Sequence, residues 1–341
     1  MAAVRIALDV MGGDHAPQST LDGAKQALDS WPDLVLLLCG DEARLKALLP
    51  KHGLEGFLGS RIELLHAPTV VTMEDKGTAV LKEKKDSSMR VAAQAVREGR
   101  AHGVVSMGHT GAAMVASSMV IGRLEGVDRP GLASVMPNKA GRPTVLIDVG
   151  SNVDCRADHI AQFAVMGAVY AEQVLGIPNP KVGVLSVGEE ETKGTEVTRE
   201  AAALLRTLPL NFAGNAEGRD IWNGNFDVIA CDGFVGNVLL KSSEALAGAI
   251  VAGIREALTS SMTAKLGALM VKPGLKNFFR KLDYREYGGL PLLGIKGVSV
   301  IGHGSSDAKA VKNGIGAAMR TFEGKVSERI SAGIAGLLPK D

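Results

Sequence analysis

Short apolar segments alternate with longer helix-like segments along almost the whole chain. Residues 4–10, 34–39, 103–106, 227–231 and 298–301 are apolar and bounded by polar or turn-forming residues, which is typical of buried strands. Segments of roughly 10–20 residues with helical features separate most of them. This alternation predicts an α/β fold with a doubly wound, mainly parallel sheet and helices on both faces.

Two segments depart from the alternation. Residues 132–136 and 144–149 are joined by the short polar turn 138–141, so they are predicted to form a hairpin. Residues 261–282 contain five lysines or arginines and no acidic residue, interleaved with Leu, Met, Val and Phe. Because Pro273-Gly274 divides this segment into two short helices, we predict an inserted amphipathic helical hairpin over residues 259–293. The whole chain, 1–341, is otherwise predicted to be a single α/β unit.

Composition limits the class of protein. A chain of 341 residues with 46% hydrophobic residues can bury a large core, and its net charge of +1 gives no overall field for nucleic acid. The isolated cysteines Cys39, Cys155 and Cys231 favour neither disulfides nor a zinc knuckle and fit a reducing cytoplasm. Cys231 is either a nucleophile or, more simply, the buried end of a strand. The uncharged stretch 103–122 is long enough to mimic a membrane span, but its polar residues favour a buried strand and helix.

Five predicted strands end in loops of similar design. Residues 9–17, 106–113, 148–154, 231–237 and 301–309 pass from a strand into polar sequence that contains glycine. Glycine lets a ligand approach the backbone, and N–H groups at a helix start bind anions. Because ligands bind at the carboxyl ends of strands in open α/β sheets, we expect these loops to converge on one anion site. The residues expected to bind substrate or phosphate are Gly12, Gly13, Asp14, His109, Thr110, Gly111, Asn152, Gly194, Gly236, His303, Ser305 and Ser306.

A sixth loop lies within residues 181–196 (KVGVLSVGEEETKGTE) and follows another short apolar strand. It contains Lys193 and Gly194, and Thr195 is placed to cap the helix that follows. An acidic, solvated turn with one lysine is the simpler interpretation of this loop taken alone. Beside the five similar loops, it favours a second interpretation, in which Lys193 is a cation for an anionic ligand.

Several catalytic motifs are absent from the sequence. It contains no P-loop, no G-x-G-x-x-G after the first strand and no G-x-S-x-G nucleophile elbow. His15, His109 and His303 are potential metal ligands together with Asp14 or Asp232. Their spacing instead favours hydrogen-bonding or acid–base roles, so we predict neither a metal nor a cofactor.

Seven segments resemble the signature of bacterial phosphate acyltransferase, the acyl-carrier-protein:phosphate enzyme family of phospholipid synthesis. They are ALDVMGGDHAP, KKDSSM, LIDVGSNVDC, VGEEETKG, NAEGRDI, CDGFVGNVLLK and YGGLPLLGIKGVSVIGHGSSDAK. The similarity extends from Ile6 to about Ala310. Two positions differ from the family pattern, with His109 where Asn is usual and Gly77 where Pro is common.

The resemblance implies a fold similar to isocitrate and isopropylmalate dehydrogenases and to phosphotransacetylase, and it implies a homodimer. It also implies that a fatty acyl group passes from acyl-carrier protein to inorganic phosphate without a cofactor. The product, an acyl phosphate, is then used by a membrane glycerol-3-phosphate acyltransferase in phosphatidic acid synthesis.

This reaction needs few titrating groups. Phosphate is already an anionic nucleophile near pH 7, and a thiol with a pKa of roughly 8.5 leaves as thiolate without a strong general acid. The site has to hold two anionic reactants together and stabilise an oxyanion. We expect Lys193 to supply the cation for phosphate or the oxyanion. Asn237, Ser305 and Ser306 are the expected hydrogen-bond donors, and His15 or Asp232 is expected to orient the phosphate proton.

Two basic surfaces suit partners of this enzyme. The residues expected to contact the carrier protein or the membrane are Lys82, Lys84, Lys85, Lys272, Lys276 and Arg280. The first three suit an acidic carrier, although a solvated face is the simpler interpretation. The last three suit the head groups of an anionic bilayer, and dimer packing or a substrate lid is the alternative for their hairpin. We therefore expect a cytoplasmic protein that associates peripherally with the inner face of the cell membrane.

Two other functions remain open on the sequence alone. A hydroxy-acid dehydrogenase on the same scaffold needs a nicotinamide site and, in most cases, a carboxylate-bound divalent metal. A non-catalytic membrane scaffold for lipid enzymes needs only the basic amphipathic hairpin.

Overall fold

The computed structural model describes residues 3–282 and 286–336, without the side chains of residues 273 and 275–282. Eleven described strands form one sheet in the order β3-β2-β1-β4-β11-β10-β5-β6-β9-β7-β8. The strands are β1 Val4–Asp9, β2 Leu34–Gly40, β3 Ile62–His66, β4 Gly103–Ser106, β5 Gly131–Met136, β6 Thr144–Ile147, β7 Val182–Leu185, β8 Phe212–Ala216, β9 Val228–Ala230, β10 Leu290–Leu293 and β11 Val298–Ile301. The predicted hairpin of β5 and β6 is confirmed, because the two strands pair antiparallel.

Helices cover both faces of the sheet, as predicted. They are α1 Gln18–Ser30, α2 Glu42–Leu48, α3 Ser88–Arg97, α4 Thr110–Ala116, α5 Ala157–Gln173, α6 Glu196–Arg206, α7 Gly218–Asn223, α8 Gly233–Thr259, α9 Met262–Leu282, α10 Ala308–Glu323 and α11 Val326–Ile334. α1 and α10 pack with apolar side chains of β1 and β2 in one core, whereas α3 and α4 pack on the opposite face. α5, α6 and α11 form a third core with β6, β7 and β9. The stretch 103–122 is β4 followed by α4 and a π-helical turn, which confirms its interpretation as a buried strand and helix.

Side-chain caps fix several helix starts next to the sheet. Thr195 Oγ1 accepts from the N–H of Thr198 at 3.2 Å, which confirms it as the cap of α6. Asp232 Oδ1 accepts from the N–H of Val235 at 2.9 Å at the start of α8. Such caps satisfy N–H groups that have no partner within the helix, so they define where the chain turns from a strand end into a helix.

Strand direction divides the sheet into two parallel blocks. β3, β2, β1, β4 and β11 run one way, because each neighbouring pair is parallel. β10 and β5 follow, and the successive antiparallel pairs β11·β10, β10·β5 and β5·β6 reverse the direction. β6, β9, β7 and β8 are again parallel to one another but run opposite to the first block. The carboxyl ends of the two blocks therefore lie at opposite edges of the sheet. The prediction that all of these loops lie at one shared edge did not account for this reversal.

The helical hairpin differs from its predicted form. α9 runs through Pro273 and Gly274 as one helix of 21 residues, so the prediction of two short helices divided at this dipeptide is wrong. The turn instead lies at residues 260–261, between α9 and the 27-residue α8. Along α8 only Gly233, Gly236 and Leu240 are buried, so most of this helix extends beyond the core. The inserted unit at residues 259–293 otherwise stays a prediction.

Large apolar side chains are exposed on both helices of this hairpin. The exposed fraction is 63% for Leu246 on α8, and 63% for Leu266 and 66% for Leu269 on α9. By length and composition alone, α8 also meets the criteria for a helix able to cross a membrane. In the single described chain, the apolar surface of the hairpin is thus left largely uncovered.

Candidate functional site

Three glycine-containing loops meet at the carboxyl ends of the adjacent strands β1, β4 and β11. We call this region, residues 10–17, 107–109 and 302–307, the three-loop junction. The N–H of Asp14 donates to Gly304 O at 2.8 Å, which joins the first loop to the third. A Cβ atom added at Gly12 would lie 3.0 Å from Gly108 N, and one at Gly13 would lie 3.1 Å from Met107 O. Gly13 also has φ +111°, so only glycine suits this contact.

Helix starts surround the junction. α1 follows the first loop, α4 follows the second and α10 follows the third. α1 begins without a side-chain cap, whereas Asp307 caps α10 by accepting from the N–H of Ala310 at 3.0 Å. On these loops His15 and Ser305 are exposed, Thr110 is partly exposed and Ser306 is buried. Free N–H groups and partial positive charge at such helix starts attract anions.

His109 is fully engaged by the backbone. Its Nδ1 accepts from the N–H of Ala112 at 3.2 Å, so the side chain caps α4. Its Nε2 donates to the carbonyl of Asp75 at 3.0 Å. Both ring nitrogens are therefore occupied, and the predicted role of His109 in binding phosphate would require it to leave these partners. Gly111 lies on the same imidazole, since an added Cβ would be 3.1 Å from His109 Cε1.

Residues 69–88 form a segment that packs against the start of α4 beside the junction. Lys84 Nζ donates to Asp75 Oδ2 at 2.6 Å and to the carbonyl of Val70 at 2.7 Å. The ammonium of Lys84, followed by donors from Thr72, lowers the pKa of Asp75 to about 2. Lys84 thus links two parts of this segment, which argues against its predicted contact with a partner. Lys82 and Lys85, by contrast, are exposed.

Asp9 lies beneath the three-loop junction and was not among the predicted site residues. It is the last residue of β1 and is buried. Its Oδ2 accepts from the Ser106 hydroxyl at 2.7 Å, and Ser106 Oγ in turn accepts from the N–H of Gly108 at 3.1 Å. Burial raises the pKa of this carboxyl, against smaller opposing effects of nearby donors. The available signal in the sequence was a charged residue at the end of an otherwise apolar strand.

The loops after β6 and β9 form a second group, the Asp148 cluster, which contains Asn152, Asp232, Gly236 and Asn237. Asp148 accepts five hydrogen bonds, from the N–H groups of residues 132, 150, 151 and 152 and from the side-chain amide of Asn152. A Cβ added at Gly236 would lie only 1.9 Å from Asp148 O. Asn237 is exposed on the first turn of α8, and Asp232 is used as its cap.

Lys193 and Gly194 belong to a third group, beyond β7 and close to β8. Lys193 is exposed, and Gly194 has φ +95° and packs against Thr198 and Ser186. Neighbouring acidic residues of this loop pair with arginines, as Glu189 does with Arg219 at 2.8 Å. This loop, like the Asp148 cluster, follows strands of the second block.

Within the described chain, these loops thus form three separate groups of contacts. Contacts join Asp14, Gly12 and Gly13 to the loops after β4 and β11, but no recorded contact among described residues joins the junction to the Asp148 cluster or to Lys193. The opposite direction of the two strand blocks is the physical reason. The catalytic roles of Lys193, Asp232 and Asn237 stay predictions, as does that of His15.

Candidate nucleophiles and metal ligands are poorly placed for those roles in the described part of the chain. Burial raises the pKa of the Cys39 and Cys231 thiols well above the usual range and that of Cys155 to about 11. Asp128, Asp158 and His159 form a possible ligand group, with ligand atoms within 4.8 Å of one another. None of them belongs to the junction, and the Arg156 guanidinium, 2.7 Å from Asp158 and 3.6 Å from Asp128, already supplies a cation.

The predicted partner-binding lysines lie on two separate surfaces. Lys85 and Arg90 line a surface groove of about 350 Å³ along α3, together with Val91 and Arg100. Lys272 is exposed on α9. The side chains of Lys276 and Arg280 lie outside the described residues, so their predicted contacts stay predictions.

Comparison with known proteins identifies the family. Residues 4–329 match the family model described as fatty acid synthesis protein. A phosphate acyltransferase from Pelotomaculum thermopropionicum is 49% identical over 331 residues, covering 97% of this chain and 95% of the relative. The chain belongs to the phosphate acyltransferase family. A member from Desulfitobacterium hafniense is 47% identical, with 96% of each chain covered.

Membership in the phosphate acyltransferase family gives the enzyme class. The protein is an acyltransferase that transfers acyl groups to phosphate in lipid synthesis. The motifs that carried the resemblance in the sequence thus identified the family correctly. The three-loop junction, the Asp148 cluster and the Lys193 loop all contain segments of those motifs.

Solved structures confirm the fold class. A phosphotransacetylase from Streptococcus pyogenes superposes with a TM-score of 0.63 at 15% identity, covering 94% of each chain. A 4-hydroxythreonine-4-phosphate dehydrogenase from Klebsiella pneumoniae superposes with a TM-score of 0.54 at 13% identity, covering 94% of this chain and 100% of the other. At these identities the likeness concerns the fold alone, which both transacylases and dehydrogenases share.

Proposed function

We propose that this enzyme transfers a fatty acyl group from acyl-carrier protein to inorganic phosphate, with the phosphate held at the three-loop junction. The observation that carries this placement is the close approach of Gly12 and Gly13 to the loops after β4 and β11, beside the starts of α1 and α10. A glycine backbone without side chains, next to the starts of helices, suits a small tetrahedral anion. The product, an acyl phosphate, supplies phosphatidic acid synthesis through a membrane glycerol-3-phosphate acyltransferase.

Phosphate itself is the nucleophile in the proposed reaction. A phosphate oxygen forms a bond to the thioester carbonyl carbon, and the tetrahedral intermediate collapses as the C–S bond breaks and sulfur takes the electron pair. The proton that the phosphate carried then protonates the thiolate. The protein therefore contributes orientation and hydrogen-bond donors for the oxyanion rather than a covalent intermediate. The raised pKa values of Cys39, Cys155 and Cys231 support this, because a thiol nucleophile acts as the thiolate.

The function is tested by incubating the protein with acyl-carrier-protein thioester and inorganic phosphate and assaying for acyl phosphate. We expect product only when both substrates are present. Reduction or oxidation of nicotinamide with hydroxy acids would instead support the dehydrogenase, an alternative that membership in an acyltransferase family already disfavours. Binding to liposomes without cleavage of the thioester would support the non-catalytic scaffold.

For the carrier protein, we propose that it docks along α3. Lys85 and Arg90 line the groove there, and Lys82, three residues before Lys85 in the chain, is exposed. Reversing two charges, Lys82→Glu with Lys85→Glu, should lower kcat/KM for the carrier-bound thioester about tenfold and flatten its salt dependence, because rim charges act on association. Lys84 is excluded from this test, since it holds Asp75.

Two comparisons make this docking test specific. The double variant Lys51→Glu with Lys296→Glu changes the net charge equally at exposed positions elsewhere and should behave like the parent. An acyl-pantetheine thioester, which lacks the carrier protein, should be turned over equally by parent and docking variant. An unchanged salt dependence in Lys82→Glu with Lys85→Glu would place docking elsewhere, with the basic hairpin as the next candidate.

For localisation, we propose that the enzyme is cytoplasmic and binds the inner face of the cell membrane reversibly through α8 and α9. Exposed Leu266, Leu269 and Met270 stand beside Lys265 and Lys272 on α9. Such a surface suits the interface of an anionic bilayer, where apolar side chains enter the acyl boundary and lysines meet head groups. A homodimer that shares part of this apolar surface is compatible with the same proposal.

The double variant Leu269→Glu with Val271→Glu should release the protein from anionic vesicles. These side chains are 66% and 49% exposed, so two new carboxylates should repel the head groups with little effect on the fold. Co-sedimentation with vesicles at low and high salt measures the effect, and phosphate acyltransferase activity in solution should remain largely intact. Leu58→Glu, at an exposed position outside the hairpin, is the control. Undiminished co-sedimentation of the double variant would rule out α9 as the anchor.

A further inference from the structure

Asp9 and Asp148 are a matched pair of buried carboxyls with different hydrogen bonding. Asp9 ends β1 and Asp148 follows β6, and their exposed fractions are 1% and 0%. Asp148 has both oxygens satisfied by five donors. Asp9 Oδ2 has the Ser106 hydroxyl, but its Oδ1 is buried without a hydrogen-bond partner in the described chain.

An unpartnered buried carboxyl oxygen destabilises a fold. Buried polar groups are nearly always hydrogen-bonded, and an exception calls for a functional explanation. A structural role accounts for the burial of the Asp148 carboxyl, because its hydrogen bonds link β5, the loop after β6 and the side chain of Asn152. Asp9 links β1 to Ser106 of β4 through Oδ2, which leaves its Oδ1 without a structural explanation at the floor of the three-loop junction.

The glycine loop of the junction lies directly on the Asp9 carboxyl. A Cβ added at Gly12 would be 2.4 Å from Asp9 Oδ2. The backbone N–H groups of Met11 and Gly12 face the carboxyl, as does the hydroxyl of Ser88 from α3. These N–H groups belong to the same loop whose outer side is the proposed phosphate site.

No cation among the described residues compensates Asp9. From β2 it is approached by the Cys39 thiol, from β4 by Ser106 and from α3 by Ser88, and none of these groups is positively charged. Burial raises the pKa of Asp9 more than the surrounding donors lower it. A proton on this carboxyl removes the buried charge, and an anion placed just outside the same loop favours that removal.

We propose that Asp9 is a positioning residue of the phosphate site, neutral when phosphate is bound and, when ionised, drawing the loop N–H groups of Met11 and Gly12 away from the ligand. This inference rests on the proposed placement of phosphate at the three-loop junction. The carboxylate and the phosphate compete for the same N–H groups and repel each other across a single layer of backbone. Phosphate binding and protonation of Asp9 therefore favour each other.

The expected signature is a KM for phosphate that rises with pH. Once Asp9 ionises, the linkage to one proton raises KM by up to about tenfold per pH unit. Asp9→Asn keeps an oxygen for the Ser106 hydroxyl and is neutral at every pH. Its KM should lack this increase, so that the parent and the variant diverge progressively as pH rises.

Calorimetry counts the protons directly. Inorganic phosphate is titrated into the protein at alkaline pH, where free phosphate is almost wholly the dianion, in two buffers of different ionisation enthalpy. The parent should take up a fraction of a proton on binding phosphate, and Asp9→Asn should take up none. Should Asp9→Asn fail to fold, Ser106→Ala is the second variant: it removes the donor to Asp9 Oδ2, favours the protonated carboxyl before phosphate binds and should therefore take up less of a proton than the parent.

Asp148→Asn is the control for a merely structural role. Its amide nitrogen would face N–H donors at either oxygen position, so it should lose stability, whereas Asp9→Asn can place its amide nitrogen at the unpartnered Oδ1 position and should lose less. Equal proton uptake by parent and Asp9→Asn, an unchanged pH profile of KM in Asp9→Asn, or no uptake by the parent would overturn the role of Asp9 while phosphate still binds. An absence of phosphate binding in the parent would overturn the placement of the phosphate site as well.

Discussion

Gly236→Ala should destabilise the protein by about 3 kcal/mol or more, since overpacking of a closely packed site typically costs 1–3 kcal/mol and backbone is the obstacle here. The new Cβ would lie 1.9 Å from Asp148 O and 3.0 Å from Cys231 Sγ. The first turn of α8 would have to move off β6 to relieve the contact. That movement would also disturb Asp232 and Asn237, so a loss of activity greater than the loss of folded protein would support their predicted catalytic roles.

Gly248→Ala is the matched control for Gly236→Ala, on the same helix. A Cβ added at Gly248 meets nothing within 4 Å. Alanine is better than glycine in a helix interior by about 1 kcal/mol, so this variant should be as stable as the parent or more so. Denaturant unfolding of both variants measures the difference. A Gly236→Ala protein as stable as the parent would contradict the packing of α8 on the Asp148 cluster.

Gly12→Ala should lower turnover with phosphate about 10²-fold, because displacing a site by about 1 Å has effects of this size. The added Cβ would lie 2.4 Å from Asp9 Oδ2 and 3.0 Å from Gly108 N. The glycine loop would be pushed off the Asp9 carboxyl and away from the loop after β4. Steady-state kinetics with varied phosphate measures the effect.

Gly56→Ala controls for a glycine substitution outside the junction. A Cβ at Gly56 meets nothing within 4 Å, and this residue lies in a surface turn. It should keep the kinetic constants of the parent. Circular dichroism of Gly12→Ala separates a displaced loop from an unfolded protein. Normal kinetics in a folded Gly12→Ala would place phosphate outside the three-loop junction.

Most elements of the fold could be predicted from the sequence, but not the direction of the strands. Apolar runs and glycine turns identified most strands of both blocks and the hairpin of β5 and β6, but not β8 or β10. That hairpin reverses the chain, so the strands that pair beyond it run opposite to β1 and β4. Local patterns identify a strand without specifying its partners, and the short β10, which joins the two blocks, lies in a segment without a clear period.

The composition of the candidate site was predicted better than its geometry. Glycine and polar residues at strand ends indicated the three-loop junction, because backbone approach and helix starts depend on local sequence. The long-range partners of side chains were not predictable in this way. Lys84 forms an ion pair with Asp75, and His109 forms a hydrogen bond with the Asp75 carbonyl. Asp9 is buried directly beneath Gly12.

The central claim, that phosphate is itself the nucleophile, is tested most directly by a single-turnover measurement of thiol release. Enzyme in excess is mixed with the acyl thioester in the absence and presence of inorganic phosphate, and free thiol is followed with time. Because the described cysteines are buried or have a raised pKa, we predict that thiol appears only with phosphate and in equal amount with acyl phosphate. Release of one thiol per thioester without phosphate, leaving an acylated protein, would contradict the account.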